Sequence, residues 1–102
     1  MRIPRHPTLL RRLRDARVKQ LAATCPPLAG SLGVQRGGGR QVTLKQAGRT
    51  RTVYIPKELT EEVAASIREH RRLKRLVAEI TQLQLALIQC HRAEQVRRAG
   101  RD

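Results

Sequence analysis

The chain has 102 residues, with 22 Lys and Arg against 8 Asp and Glu, a formal net charge of +14 with neutral His. That length gives one domain at most and argues against a deep enzyme cleft, while the charge calls for a partner rich in phosphate or anionic lipid. Phe and Trp are absent and Tyr54 is the single aromatic, so the 39% apolar content rests on Leu, Val, Ile and Ala, and no large ring anchors a core.

The positive charge belongs to the front half: residues 1 to 57 carry 13 basic side chains and only Asp15, whereas residues 58 to 102 carry 9 basic and 7 acidic ones. Arg2, Arg5, Arg11 and Arg12 interrupt any apolar run near the start, so no secretory leader is read there. Cys25 and Cys90 are accordingly expected as reduced thiols of a cytoplasmic protein. The longest apolar run, Leu85 to Ile88, falls far short of the ~20 residues that cross a bilayer, so no membrane partner is expected.

Residues 1–7 read as a mobile basic arm. Residues 8–24 read as a helix capped by Thr8, with Leu9, Leu10, Leu13, Ala16, Val18 and Leu21 along a rough apolar stripe and Cys25-Pro26-Pro27 as its stop. Its polar side carries Arg11, Arg12, Arg14, Arg17 and Lys19. Residues 25–39, with two prolines and five glycines, read as a flexible linker. A phosphate-cradling role for Gly37-Gly38-Gly39 lacks the P-loop spacing, its Gly-Lys-Ser/Thr ending and a strand leading in.

Residues 40–55 alternate as a two-stranded hairpin, Val42 and Leu44 facing the same way as Val53 and Ile55, with Ala47-Gly48 at the turn. Two strands alone are marginal in water, so this face must pack on a helix. Arg36, Arg40, Lys45, Arg49 and Arg51 give the hairpin a cationic cluster able to lie along a phosphate backbone or enter a major groove.

Residues 56–98 read as one long amphipathic helix, opened by Pro56 with Glu58, Glu61 and Glu62 at its positive end, and residues 99–102 as a tail. Leu73, Leu76, Ile80, Leu83, Leu87 and Cys90 follow a strict 3,4 spacing, a seam for packing on other helices. Either the first helix covers that seam or a second helix does, in a coiled-coil-like dimer. Arg68, Arg71, Arg72 and Arg75 stack on one side of the same helix and repel unless acids or phosphates lie near, with Glu69 and Glu79 as candidate offsets. The fold class expected is mainly α with a small hairpin, an α+β arrangement.

No metal or cofactor is expected: Cys90 and His91 are adjacent, and His6, His70 and Cys25 are scattered, so no pair has zinc-module spacing. No residues group as a catalytic set. The leading expectation is a non-enzymatic nucleic-acid-binding or accessory protein, with DNA ahead of RNA and with duplex or structured RNA ahead of base-stacking readout, since Tyr54 is the only ring. Its phosphate contacts would come from the hairpin cluster and the arginine stripe. The alternative is a protein-interaction module whose long helix dimerises or pairs with an acidic partner. A lesser reading gives the chain no distinct activity.

From Gly48 the run Gly-Arg-Thr-Arg-Thr-Val-Tyr-Ile-Pro-Lys-Glu-Leu, then Glu61-Glu62-Val63 and His70-Arg71-Arg72-Leu73-Lys74-Arg75-Leu76, resembles a prokaryotic family of short basic proteins with a domain of unknown function. That family is similar in its hairpin ending in Val-Tyr-Val/Ile-Pro and its long Leu-rich helix, here including Glu79-Ile80-Thr81-Gln82-Leu83. The likeness covers about Gly30 to Leu87. It implies no activity, though it suggests company with mobile elements and their DNA-processing proteins. Members carry a Cys-rich, Gly-rich knuckle before the hairpin; here Val34-Gln35-Arg36-Gly37-Gly38-Gly39 has no cysteine, so no metal role carries over.

Overall fold

The computed structural model describes residues 2–100. The fold is α+β: helix α1 (Pro7–Lys19), strands β1 (Ser31–Val34), β2 (Arg40–Gln46) and β3 (Arg49–Ile55), a 3-10 turn over Lys57–Leu59, and helix α2 (Thr60–Ala99). Contacts divide the chain into two compact units, Ala23–Leu73 and Met1–Ala22 with Lys74–Asp102. Helix α2 contributes its first part to the one and the remainder to the other.

In the unit Ala23–Leu73 the sheet has three antiparallel strands in the order β1-β2-β3, not the two expected. The additional strand lies in the stretch read as a flexible linker. Leu32 pairs with Val42, and Val42 with Val53, so these side chains fall on one face by the two-residue period of the pleat. Leu32 joins Leu28, Leu44 and Val63 around the buried Val42, Ile55 and Ile67. Full burial of each of those three is worth about 1.5–3 kcal/mol, which helps offset the entropy of ordering this glycine-rich segment. Before β1, the Leu28 amide donates to the Ser66 carbonyl at 3.0 Å and fastens the chain to α2. Gly30 is then pressed against β2: a Cβ there would meet Val42 Cγ1 at 2.8 Å and the Thr43 carbonyl oxygen at 3.2 Å.

The expected hairpin turn forms with Ala47 at φ 52° and Gly48 at φ 79°. Two positive φ values in a two-residue loop make the type I′ geometry that matches the twist of the flanking strands. Val53 shares the apolar face but is 41% exposed, because β3 is an edge strand and the core ends at Val42 and Ile55. Pro56 precedes the 3-10 turn, and α2 proper begins at Thr60 with Glu61 and Glu62 in its first turn and Arg97 and Arg98 in its last, a placement the helix dipole favours at both ends.

The second unit packs α1 against the far part of α2. Arg5, Arg14 and Arg17 meet Cys90, Gln84 and Glu79 respectively, so α1 runs antiparallel to α2 within this unit. Leu10, Leu76 and Leu83 are its buried residues. Helix α1 starts at Pro7 rather than being capped by Thr8: His6 is extended, Pro7 takes the first helical position, and no side chain caps the end. Proline suits that position, since its missing N–H would have had no helical acceptor. The helix also stops at Lys19, short of Thr24, whose amide is given to the Glu69 carboxylate instead of a helical carbonyl.

Candidate nucleic-acid interface

The cations singled out on the sheet stand on two faces and a turn. Register sets Arg40, Arg49 and Arg51 on the same side as Val42 and Val53, while Lys45 shares the opposite side with Thr43, Thr50, Thr52 and Tyr54. All four cations are exposed. Towards the Ala47-Gly48 turn every residue from Lys45 to Arg51 is exposed, so the end of the ribbon is cationic on both sides. The Arg51 guanidinium donates to the Gln46 side-chain oxygen at 3.2 Å, which steadies the arginine without neutralising it. Arg36 is exposed in the turn between β1 and β2, closed by a bond from the Gly38 amide to the Gln35 carbonyl at 3.0 Å.

Between Ala23 and Lys57 the chain holds six basic residues and no acidic one. The acids of this unit follow on α2: Glu58 lies in the 3-10 turn, Glu61 and Glu62 in the first helical turn, and Glu69 is buried. Sequence reasoning gave Glu69 a minor role as a charge offset. In the structure its carboxylate accepts from the Thr24 hydroxyl, the Thr24 amide at 3.1 Å and the Arg72 guanidinium. These bonds, that of the Thr24 hydroxyl first and that of Arg72 second, hold its pKa down to about 2 against an ordinary 4.5, while burial pulls the other way.

Arg72 therefore differs from its neighbours in the arginine stripe. It is half-buried and ion-paired to Glu69, whereas Arg68, Arg71 and Arg75 are exposed along α2 and form no ion pair among the described residues. Glu79, the other expected offset, serves Arg17 of α1 at 2.8 Å instead. The stripe offers three exposed cations rather than four.

The helical seam is divided. Leu76 and Leu83 are buried within the chain, with Ile80, Leu87 and Cys90 half-buried in the same unit, and Leu73 is half-buried in the other. Of the two coverings that the sequence left open for this seam, the chain's own N-terminal segment covers the middle of it. The exposed apolar residues of the far part of α2 lie elsewhere, at Val77, Leu85, Ile88 and Val96.

Thr24 and the Gly37–Gly39 turn were missed or discounted by sequence reasoning. Nothing in the spacing marks Thr24 as the partner of Glu69, 45 residues on, because that contact depends on the tertiary path of the Pro26-Pro27 segment. The glycine turn was set aside partly for want of a strand leading in, and β1 is such a strand. Cys25 and Cys90 are free, and their Sγ atoms lie 3.8 Å from the Ala65 carbonyl oxygen and 3.4 Å from the Arg5 carbonyl oxygen. Among the described residues no helix is long and apolar enough to cross a membrane, and no group of three or more His, Cys, Asp or Glu could hold a metal.

No protein-family model, curated protein or solved structure matches this chain.

Proposed function

We propose that the protein is a non-enzymatic nucleic-acid-binding protein that grips phosphates with the cations of its sheet, DNA ahead of RNA. One observation carries this reading: residues 23–57 hold six basic side chains and no acid, all six are exposed and four of them stand on β2 and β3, while Glu69 is neutralised by its own partners. A ribbon end with Arg49 and Arg51 on one face and Lys45 on the other suits a groove with a phosphate strand on each side. Arg68 and Arg71 add exposed charge on α2.

Binding of a duplex measured by fluorescence anisotropy should weaken steeply with salt. If about six phosphates are neutralised, log K falls with log salt at a slope of about −5. Replacing Arg49 and Arg51 by Gln should flatten that slope by about 2 and weaken all sequences alike. Absence of binding at low salt removes the proposal. A slope that responds to Arg11, Arg12 and Arg14 but not to Arg49 and Arg51 moves the interface off the sheet.

A second reading has its own observation. In the other unit, Leu85 and Ile88 line a shallow groove with Arg5, Arg11, Arg14 and Arg92. An apolar strip edged with arginine suits an acidic amphipathic helix better than it suits another copy of this basic chain. Under that reading Leu85→Ser with Ile88→Ser abolishes capture of such a helix and leaves the salt slope on DNA unchanged.

A further inference from the structure

Tyr54 occupies an unusual position for a lone aromatic. It is 60% exposed on the edge strand β3, on the face of the sheet turned away from Val42 and Ile55, and so contributes little to the core. Beside it runs the glycine turn. A Cβ on Gly39 would lie 3.1 Å from Tyr54 Cε2, so glycine here lets the backbone sit flush against the edge of the ring. Gly37 and Gly38, at φ 97° and 95°, hold backbone that L side chains rarely adopt, and a Cβ on either would meet nothing within 4 Å. The turn therefore presents bare peptide groups to the space above it.

That space is a cleft of about 540 Å³, lined by Gly37, Gly38, Gly39, Arg40, Tyr54 and Lys57 among others, with no acidic side chain in its wall. Its size falls within the roughly 300–1,000 Å³ usual for small-ligand sites. Its chemistry has three parts: an aromatic ring, the Lys57 cation and backbone that carries no side chain, whereas the Arg40 side chain starts on the opposite face of the sheet from Tyr54. Any base offers a π-face to a ring, and the phosphate beside it is the natural partner of a cation next to backbone it can approach closely. Amino-acid side chains, sugars and lipid tails would each leave one of the three parts unused.

We propose that this cleft is a subsite for one unpaired nucleotide, its base stacked on Tyr54 and its phosphate held by Lys57, at a duplex end or bulge gripped by the adjoining ribbon. This deepens the nucleic-acid reading above and rests on it. One ring serves one base, so a continuous single strand is not the preferred ligand. A duplex carrying a short overhang matches the combination of a two-faced cationic ribbon and a single stacking place.

The composition supplies the test. With no Trp and one Tyr, the intrinsic emission of the protein comes from Tyr54 alone, and stacking against a base quenches it. The intact chain is titrated with a blunt duplex and with the same duplex bearing a two-nucleotide overhang, binding being followed separately through a dye on the DNA. The overhang duplex should quench Tyr54 emission by more than half and bind at least about fivefold tighter, while the blunt duplex binds without quenching. Tyr54→Phe should keep the preference for the overhang, and Tyr54→Ala should lose it while retaining blunt-duplex affinity and salt slope. A free mononucleotide at equal concentration should leave the emission unchanged; quenching as strong as the overhang's would assign the cleft to small nucleotides and overturn the proposal. Equal binding of both duplexes without quenching overturns the subsite and leaves the phosphate-gripping ribbon standing. Failure of either duplex to bind overturns both.

Discussion

The two units of the chain solve the same problem, a small core without large rings, by different means. In Met1–Ala22 with Lys74–Asp102, two helices bury Leu10, Leu76 and Leu83, and polar bonds such as Arg17 to Glu79 lie over them. In Ala23–Leu73, strands and one helix face bury Val42, Ile55 and Ile67, and a carboxylate taken out of water at Glu69 is held by Thr24 and Arg72. Both units join residues distant in the sequence, Arg17 to Glu79 in the first and Thr24 to Glu69 in the second, but the first buries helix against helix and the second sheet against helix. Charge follows the same division: the helical unit has 13 basic and 4 acidic residues, while the sheet unit has 9 and 4 with its acids confined to the stretch from Glu58 onward. Cations segregated from acids are what make the sheet the better candidate for phosphate contact.

The sharpest way to break this comparison is to damage one core and watch the other. Leu83→Ala and Ile67→Ala each remove a buried aliphatic side chain, and each should cost about 2–5 kcal/mol. Hydrogen exchange resolves where the cost falls. Leu83→Ala should expose the amides of α1 while Val42 to Ile55 remain protected, and Ile67→Ala should do the reverse. Uniform loss of protection in both variants would show one cooperative body and end the division.

How much of this is legible in the sequence follows the length of each periodic pattern rather than the boundary between the units. Helix α2 was readable over nearly its whole length, because a strong 3,4 repeat with no internal Pro or Gly leaves few alternatives. The β2-β3 hairpin was readable from strand alternation and the Ala47-Gly48 turn. Strand β1 was not, since four residues with a glycine at the third position carry too short a period, and the strand is specified by pairing with β2 and by Leu32 reaching the core. Of the candidate site, the basic residues were evident from the sequence, but their faces were not. The register separates Lys45 from Arg49 and Arg51, and burial of Glu69 withdraws Arg72.

Acid should affect the sheet unit specifically. The Glu69 pKa lies at about 2 in the folded chain against an ordinary 4.5, so between those values the unfolded chain binds the extra proton. Stability from this group is therefore fully present above about 4.5 and is lost as the pH falls through about 2. Urea midpoints followed by hydrogen exchange in β2 and β3 should decline across that window. Glu69→Gln should flatten the decline, at the cost of a weaker sheet unit at neutral pH. An unchanged pH profile in that variant would mean that other carboxylates set the acid response.

The smallest effect expected is a gain, and it tests whether the ribbon end is tuned by backbone geometry alone. Ala47 sits at φ 52°, where its Cβ crowds the following carbonyl and the left-handed conformation costs an ordinary residue roughly 1–2 kcal/mol. Asparagine tolerates this region far better and is the preferred first residue of a type I′ turn followed by glycine. A side chain at position 47 is exposed, so a change there disturbs no core contact. Ala47→Asn should therefore raise stability by about 0.5–1 kcal/mol, read as a higher urea midpoint with an unchanged m-value. Because the substitution adds no charge, the salt slope for duplex binding should stay as it is, and α1 should show no change in hydrogen exchange. A midpoint that falls would mean that the tip is held by contacts of the Ala47 methyl group rather than by the turn, and the ribbon would then be less free to enter a groove than its exposed cations suggest.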